Sequence, residues 1–232
     1  MRSGPAIDMP MRPWRLSGVV YGALLNHAPA LAALGDAANA APYKAAPKAP
    51  VLFVKPRNTL LSAGEPVVAP DEGDGWQVGV SLGIVIGHTA CRVAASSASE
   101  VIAGYTMVVD FSVPHESFYR PSVRFKARDG SCYVGPRVVS AIDLGDPNAL
   151  AITVSVDGDP AQQSSTANMI RPVEKLLADV TDFMTLAPGD VLMLGVPHGA
   201  PVVRVGQRMR AAIAGVGMFE AVIQPARRRE VA

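Results

Sequence analysis

An aspartate and a lysine, Asp110 and Lys126, are the residues of this sequence best placed to share a chemical task. Asp110 closes an apolar segment, so its carboxylate is expected to be buried and to need a partner. Lys126 lies in a charged stretch that also holds Arg124, Arg128 and Asp129. Such a stretch can form a cationic pocket for an anionic ligand, or it can be a solvated run of charges. The simplest structural alternative is a buried Lys126–Asp110 ion pair.

Other polar side chains near this stretch are candidates for contact with a substrate. Arg120, which follows Tyr119, could bind a carboxylate through two parallel hydrogen bonds, although a structural ion pair would use it equally well. His115 and Glu116 could form an acid–base pair because histidine titrates near neutral pH, but adjacent side chains often point apart. His198 lies in a predicted loop, where binding residues are common.

Several kinds of site are not expected from this sequence. It has no G-x-G-x-x-G or P-loop pattern for a nucleotide, and no Ser-His-Asp triad is expected. Cys91 and Cys132 lack the spacing of a zinc site and do not suggest a disulfide framework. The net charge of +1 provides no basic field for nucleic acid. No uninterrupted apolar run reaches the roughly 18 residues that a membrane span needs.

The composition favours a loop-rich protein with many short strands. Of the 232 residues, 49% are hydrophobic, and glycine and proline together number 41 (21 and 20). Residues 1–16 are predicted to be a flexible segment without a cleaved signal peptide. Residues 17–232 are predicted to form one catalytic-type domain, of which 17–60 is a smaller N-terminal portion.

Apolar segments predict the strands that must position these residues. The predicted strands are 19–25, 51–54, 78–87, 105–111, 149–156 and 191–196, with a closing hairpin of 208–214 and 218–223. The stretch 113–136 is predicted to be mostly irregular, with a helical turn near Glu116. Strands without strict alternation with helices indicate an α+β, mostly β domain.

Helices are predicted at 30–40, 98–103 and 173–183. Ser97 and Glu100 have the spacing of a capping box, which predicts the start of the second helix. The third has an amphipathic pattern with an apolar stripe that indicates core packing. The stripe consists of Val173, Leu176, Leu177, Val180 and Phe183.

Seven segments together resemble the fumarylacetoacetate hydrolase family. They are 53–60 (FVKPRNTL), 85–90 (VIGHTA), 103–106 (AGYT), 118–121 (FYRP), 126–130 (KARDG), 183–190 (FMTLAPGD) and 195–199 (GVPHG). The resemblance covers residues 17–225 and implies a mixed-sheet sandwich or roll with a few short helices. Within the family, the segments look most like the branch of isomerases/decarboxylases in 4-hydroxyphenylacetate catabolism, and specifically like its N-terminal half or subunit.

The resemblance implies chemistry that passes through an enolate beside a carboxylate. It implies loss of CO2 from 5-oxopent-3-ene-1,2,5-tricarboxylate and isomerisation of 2-hydroxyhepta-2,4-diene-1,7-dioate. By the same resemblance, Lys126 and Asp110 are the catalytic residues. Lys55, Tyr119, Arg120, Asp129, His198 and Gly199 are the implied substrate-binding residues.

The family's usual cofactor, Mg2+ or Mn2+, is expected to bind poorly here. Typical members hold it with two glutamates and an aspartate, and oxygen ligands suit such hard cations. The aspartate position is Asp110, but the glutamate positions are Gly79 and Ser81. The family's early histidine and glutamate are Ala30 and Ala33. Asp110 alone is therefore expected to be a weak ligand.

Three readings of the function remain open at this point. The first is a cytoplasmic enzyme subunit that acts on an open-chain di- or tricarboxylate keto acid. The second is a catalytically degraded structural partner of a paralogous subunit that binds metal. The third is another family reaction, such as hydration or C–C hydrolysis, and the missing histidine and glutamate count against that hydrolysis. A homodimer or a hetero-oligomer is expected, without nucleic acid or membrane partners.

Overall fold

The computed structural model describes residues 19–41, 44–61, 64–72, 75–115 and 123–226. These residues form twelve strands: β1 (Val20–Leu24), β2 (Val51–Lys55), β3 (Leu60–Leu61), β4 (Trp76–Ile86), β5 (Ile102–Ser112), β6 (Cys132–Val134), β7 (Ala151–Val156), β8 (Asp159–Ser165), β9 (Val191–Met193), β10 (Val202–Val203), β11 (Arg208–Ile213) and β12 (Gly217–Val222). The α-helices are α1 (Ala28–Ala33), α2 (Ala98–Val101), α3 (Val123–Lys126), α4 (Ala141–Leu144) and α5 (Val173–Thr181).

The strands lie in two sheets. The larger has the order β2-β1-β9-β4-β5-β6-β3, with β10 paired to β4. It is mixed, because β1 pairs with β9 and β3 with β6 in parallel, whereas β4 and β5 pair in antiparallel register. The smaller sheet has the order β12-β11-β7-β8. The α+β, mostly β prediction is confirmed.

One hydrophobic core joins the two sheets. Phe219 on β12 stacks on Tyr133 of β6, with ring centroids 3.9 Å apart, and also meets Phe111 of β5 edge-on. Offset and edge-on aromatic pairs of this kind favour close packing. Strand β4 is buried along nearly its whole length, which explains why 78–87 reads as a continuous apolar run. The core thus holds β4 and β5 rigidly at the centre.

The amphipathic helix and the closing hairpin predicted from the sequence are both present, the hairpin as the antiparallel pair of β11 and β12. Helix α5 buries Val173, Leu176, Leu177 and Val180, as its pattern predicts. It ends at Thr181, so the inclusion of Phe183 in the buried stripe is wrong, and that side chain is 61% exposed. Strands β7 and β8 are joined at Asp157 and Gly158, both with positive φ, as a two-residue hairpin turn requires.

Other local predictions need correction. The helix expected over 30–40 is one α-helical segment, α1, followed by a 3-10 turn at Gly35–Asn39. The capping box at Ser97 is not formed, since its side chain accepts no capping hydrogen bond and α2 is a single turn. The stretch 113–136 contains helix α3 and strand β6. Glu116 and segment 1–16 lie outside the described residues.

The strands of the predicted N-terminal portion, β1 and β2, belong to the same sheet as β4. The domain division at residue 17 stays a prediction. Among the described residues, no helix has the length and apolar character needed to cross a membrane.

Candidate functional site

The candidate site is built around Asp110, whose carboxylate lies between two lysine ammonium groups. Lys126 Nζ is 2.5 Å from Asp110 Oδ2, and Lys55 Nζ is 2.6 Å from Asp110 Oδ1. Strand β5 supplies Asp110, the end of β2 supplies Lys55, and the end of α3 supplies Lys126. The Lys126–Asp110 pair that the sequence suggested is therefore present, and Lys55 adds a second cation to it.

Lys55 lies beneath the site and is fully buried. Its ammonium is close to the carbonyl oxygens of Phe111 and Ser131, both at 2.9 Å, and donates to the carbonyl of Lys126 and to Ser131 Oγ as well. Together with Asp110, five oxygens of the chain surround it. The prediction that Lys55 contacts substrate does not fit this position, because the chain's own oxygens enclose its ammonium.

Lys126 faces a cavity instead. Its ammonium donates to Asp110 and to Ser112 Oγ at 2.9 Å, and it lies 4.2 Å from the centroid of the Phe53 ring. A lysine ammonium has three protons, so one of them has no oxygen acceptor among the described residues. Lys126, Asp110 and Ser112 line the cavity together. This third proton is available to an anionic group in the cavity.

The cluster of Lys55, Asp110 and Lys126 carries a net charge of +1 when all three groups are ionised. Burial raises the pKa of Asp110, but the two lysines outweigh burial and hold this pKa at about 2. Burial lowers the pKa of Lys55, and the Asp110 carboxylate opposes that shift. An uncompensated buried charge is costly, and a bound anion would offset it. The electrostatics therefore favour an anionic ligand beside Lys126.

The residues around Asp110 do not fit a divalent metal ion. Both carboxylate oxygens already contact ammonium groups, and a dication there would be repelled by two positive charges. At the first glutamate position, a Cβ on Gly79 would lie 2.8 Å from both methyl groups of Val196. At the second, Ser81 is buried. Among the described residues, no group of three or more His, Cys, Asp or Glu side chains could hold a metal.

The remaining predicted site residues are only partly brought together. His198 and Gly199 line the same cavity as Lys126. Asp129 does not, since it accepts a hydrogen bond from Asn58 on an exposed surface and borders a different depression. Tyr119 and Arg120 lie outside the described residues, so their roles stay predictions.

The loop that carries His198 is fixed from below by the buried His27. The backbone N–H of His198 donates to His27 Nδ1 at 3.1 Å, and Gln162 donates to the His198 carbonyl at 2.8 Å. Because His27 Nδ1 accepts, the neutral ring carries its proton on Nε2, which donates to Ser164 Oγ. His27 therefore supports the rim of the cavity and does not serve Ser164 as a base.

Two further side chains, those of Ser112 and His115, line the cavity. Ser112 lies two residues beyond Asp110 on β5, so alternation along a strand places both on one face. Its hydroxyl accepts from Lys126 and donates to Asp110 at 3.1 Å. His115, considered only with Glu116, also lines the cavity. Strand period was the available signal for Ser112, whereas the position of His115 depends on tertiary packing.

Residues 79–83 (GVSLG) have the G-x-S-x-G spacing of a nucleophilic serine. Its Ser81 lies in the middle of the 11-residue strand β4, away from any strand-to-helix turn. The hydroxyl accepts from the backbone N–H of Gly195 at 3.1 Å and donates to the carbonyl of Leu82. Ser81 is thus a buried structural residue.

Comparison with known proteins identifies the family. The sequence pattern described as "Fumarylacetoacetate (FAA) hydrolase C-terminal" matches residues 19–224. The 4-hydroxyphenylacetate degradation bifunctional isomerase/decarboxylase of Escherichia coli is 38% identical over 205 residues, which are 88% of this chain and 47% of that protein. The chain belongs to the fumarylacetoacetate hydrolase family. It spans about half the length of the curated relatives that it matches first.

Solved structures of family enzymes share the fold. The 5-carboxymethyl-2-hydroxymuconate delta-isomerase from Mycobacterium smegmatis superposes with a TM-score of 0.74 at 26% identity, covering 91% of this chain and 80% of that one. The fumarylpyruvate hydrolase from Pseudomonas aeruginosa, in complex with Mn2+ and pyruvate, has a TM-score of 0.73 at 25% identity and covers 90% of each chain. The predicted family type of fold is confirmed.

Proposed function

We propose that this chain is a subunit of an isomerase/decarboxylase that acts on open-chain keto acids with two or three carboxylates. The observation that carries the proposal is the buried Lys55–Asp110–Lys126 cluster, whose one net positive charge meets the cavity through Lys126. The resemblance to the isomerase/decarboxylase of 4-hydroxyphenylacetate degradation supplies the substrate class. The substrates proposed are 5-oxopent-3-ene-1,2,5-tricarboxylate and 2-hydroxyhepta-2,4-diene-1,7-dioate.

Lys126 stabilises the charge that develops in both steps. In decarboxylation, the bond to the departing carboxylate breaks, and its electron pair moves through the conjugated system to the oxo oxygen while CO2 leaves. In isomerisation, the same oxygen carries negative charge once the enol loses its proton. A positioned ammonium group in a buried site stabilises such an enolate without reorganisation of the surroundings. Lys126 therefore takes the electrostatic role in both steps with its own positive charge.

Asp110, Ser112 and Lys55 are positioning residues in this mechanism. Asp110 and Ser112 accept two of the three ammonium protons of Lys126, which directs the third. Lys55 fixes Asp110 from the opposite side. The loop of His198 and Gly199 also lines the cavity, where it can contact a second carboxylate of the substrate.

Turnover by the purified chain tests this proposal. CO2 release from the tricarboxylate and loss of the dienol chromophore are measured for the wild type, Lys126→Met and Lys175→Met. Lys175 is a matched control because it is exposed on α5 and pairs with Asp179. We expect the wild type and Lys175→Met to turn over substrate and Lys126→Met to lose most activity. Equal rates for all three proteins would contradict the role of Lys126.

A second candidate function is that of a structural partner. The observation that favours it is that the chain spans 47% of the bifunctional relative, while its own glutamate positions are Gly79 and Ser81. In this case the purified chain alone would be inactive on both substrates. Activity that appears only on addition of a glutamate-bearing family subunit would support the partner function over the first proposal.

A further inference from the structure

We propose that His115 is the group that moves the proton in the isomerisation step, with Nε2 as the atom that takes it up. This assignment rests on the proposed function and adds a residue to it. The sequence pairs His115 only with its neighbour Glu116, whereas the structure gives its ring two other contacts, one with a backbone carbonyl and one with an aromatic ring.

The hydrogen bonds of His115 determine which ring nitrogen is free. Nδ1 lies 2.8 Å from the carbonyl oxygen of Val113. A carbonyl oxygen can only accept, so Nδ1 carries the ring proton, and Nε2 of the neutral ring has an open lone pair. Nε2 is buried and has no hydrogen-bond partner within the described residues. The chain thus presents an unprotonated, unpartnered nitrogen.

The ring itself borders the site. The ring stacks on Phe125, with centroids 4.8 Å apart and planes 12° from parallel, and Phe125 directly precedes Lys126. His115 lines the same cavity as Lys126, Asp110 and Ser112. Stacking and the Val113 bond together fix the ring, and a fixed ring is what proton transfer in a defined direction requires.

The charge state also suits a base. Burial lowers the pKa of His115, the hydrogen bond to Val113 opposes that shift, the charge of Lys126 lowers it further and that of Asp110 raises it. The overall direction is downward from the ordinary histidine value of 6.5. The ring is therefore mostly neutral at neutral pH, and a neutral ring can accept a proton.

The proposed step conserves protons and electrons. His115 Nε2 takes the proton from the enol oxygen of the 2-hydroxy-2,4-dienoate, which leaves a dienolate with its negative charge on that oxygen. The imidazolium then returns the same proton to C5. As the electron pair of the C4–C5 double bond forms the new C5–H bond, the C2–C3 double bond moves to C3–C4, C2=O forms, and His115 returns to its neutral form.

The other histidines of the cavity region are less suited to this step. His27 carries its proton on Nε2, and both of its ring nitrogens are already hydrogen-bonded, to Ser164 and to the backbone N–H of His198. His198 lines the cavity, but the hydrogen bonds that fix it, with His27 and Gln162, are made by its backbone. His198→Gln therefore serves as the rival variant in the test.

Isomerisation is measured for His115→Phe, His115→Gln, His198→Gln and the exposed-site control His88→Gln. His115→Phe keeps a flat ring against Phe125 and lacks both nitrogens, so it separates chemistry from packing. Because a positioned acid–base group contributes about 10²–10⁴-fold, both His115 variants should lose at least about 10²-fold in the isomerisation rate. In both His115 variants, the ratio of the isomerisation rate to the rate of CO2 release should therefore fall as well. His88 is exposed, and His88→Gln should retain the wild-type rates.

The ring tautomer gives a readout that does not depend on activity. Nitrogen NMR of selectively labelled histidine should show His115 protonated on Nδ1 and unprotonated on Nε2 at neutral pH. A proton on Nε2 would overturn the assignment, as would a His115→Phe variant that isomerises at the wild-type rate or a loss seen only in His198→Gln. Absence of turnover in the wild type would instead overturn the proposed function, and the assignment with it.

Discussion

The two lysines on Asp110 have the same chemistry and occupy opposite environments. Lys55 lies on the closed side, where Asp110 and oxygens of Phe111, Lys126 and Ser131 surround its ammonium. Lys126 lies on the open side, where two protons are held by Asp110 and Ser112 and the cavity begins. The difference lies in the source of the acceptors, since the described residues surround Lys55 with five oxygens and offer Lys126 two.

The contrast between the two lysines shows how a buried site holds a net positive charge on its own side chains. A buried cation needs partners, and Lys55 obtains them from the backbone. Asp110 supplies one negative charge against the two positive charges of the lysines, so the cluster keeps a net positive charge, and Lys126 is the lysine that faces the cavity. In this reading, the closed side provides stability and the open side provides chemistry.

The strongest test of the closed side is Lys55→Met. Asp110 keeps Lys126 in this variant, but the buried carbonyl oxygens of Phe111, Lys126 and Ser131 lose the ammonium that they contact. At about 1–3 kcal/mol for each unsatisfied buried acceptor, we expect a loss of at least about 3 kcal/mol in the free energy of unfolding. Urea denaturation measures it, with Lys175→Met as the exposed control. A Lys55→Met protein as stable as the wild type would remove the distinction between the two lysines.

The open side is tested by Lys126→Met, which should affect turnover more than folding. Loss of a single electrostatic stabiliser of a developing oxyanion typically costs about 10²–10³-fold in kcat. Lys126 contacts two oxygens, on Asp110 and Ser112, whereas five surround Lys55, so the destabilisation should be smaller than in Lys55→Met. A Lys126→Met protein that loses stability but retains kcat would reverse the assignment of the two sides.

Gly79→Ala probes the wall beside Asp110, where Gly79 pairs in register with that residue. An added Cβ would lie 2.8 Å from both methyl groups of Val196, and overpacking of this kind costs about 1–3 kcal/mol. The double variant Gly79→Ala/Val196→Ala removes those methyl groups and should recover part of the loss. Strict additivity of the two single changes in urea denaturation would contradict the contact.

Acid titration offers a subtler test of the carboxylate between the lysines. The pKa of Asp110 falls from 3.8 to about 2 on folding, so its contribution to stability is complete above the unfolded value and is lost as the pH falls through the folded one. At about 1.4 kcal/mol per pKa unit, the contribution is about 2 kcal/mol. The difference between wild type and Asp110→Asn in unfolding free energy should shrink from pH 4 to pH 2. A constant difference would contradict the depressed pKa.

Much of the fold could be predicted from the sequence because its central strands are buried on both faces. The apolar runs at 78–87 and 105–111 became the central strands β4 and β5, and the run at 51–54 became the edge strand β2, which ends at Lys55. Asp110 lies near the end of β5. The Lys126–Asp110 pair could be suggested because a buried carboxylate requires a partner. Family resemblance contributed the rest of the site, including the positions where ligands are replaced.

The predictions from the sequence fail where contacts between distant segments determine the local structure. The cage around Lys55 is built from backbone oxygens of three segments, and backbone carbonyls leave no trace in a residue pattern. Asp129 matched a family motif but binds Asn58 on the surface. Ser97 had capping-box spacing, but α2 is too short to use it. Such contacts depend on which segments meet in space, and local patterns do not encode this.

The role of Lys126 is tested most directly by the rate of CO2 release from the tricarboxylate by the purified chain. The rate is measured before and after EDTA treatment, and again after Mn2+ is added back. We expect the same rate in all three conditions, because Lys126 supplies the positive charge. Loss of activity with EDTA and its recovery with Mn2+ would contradict the central claim that a lysine performs this role.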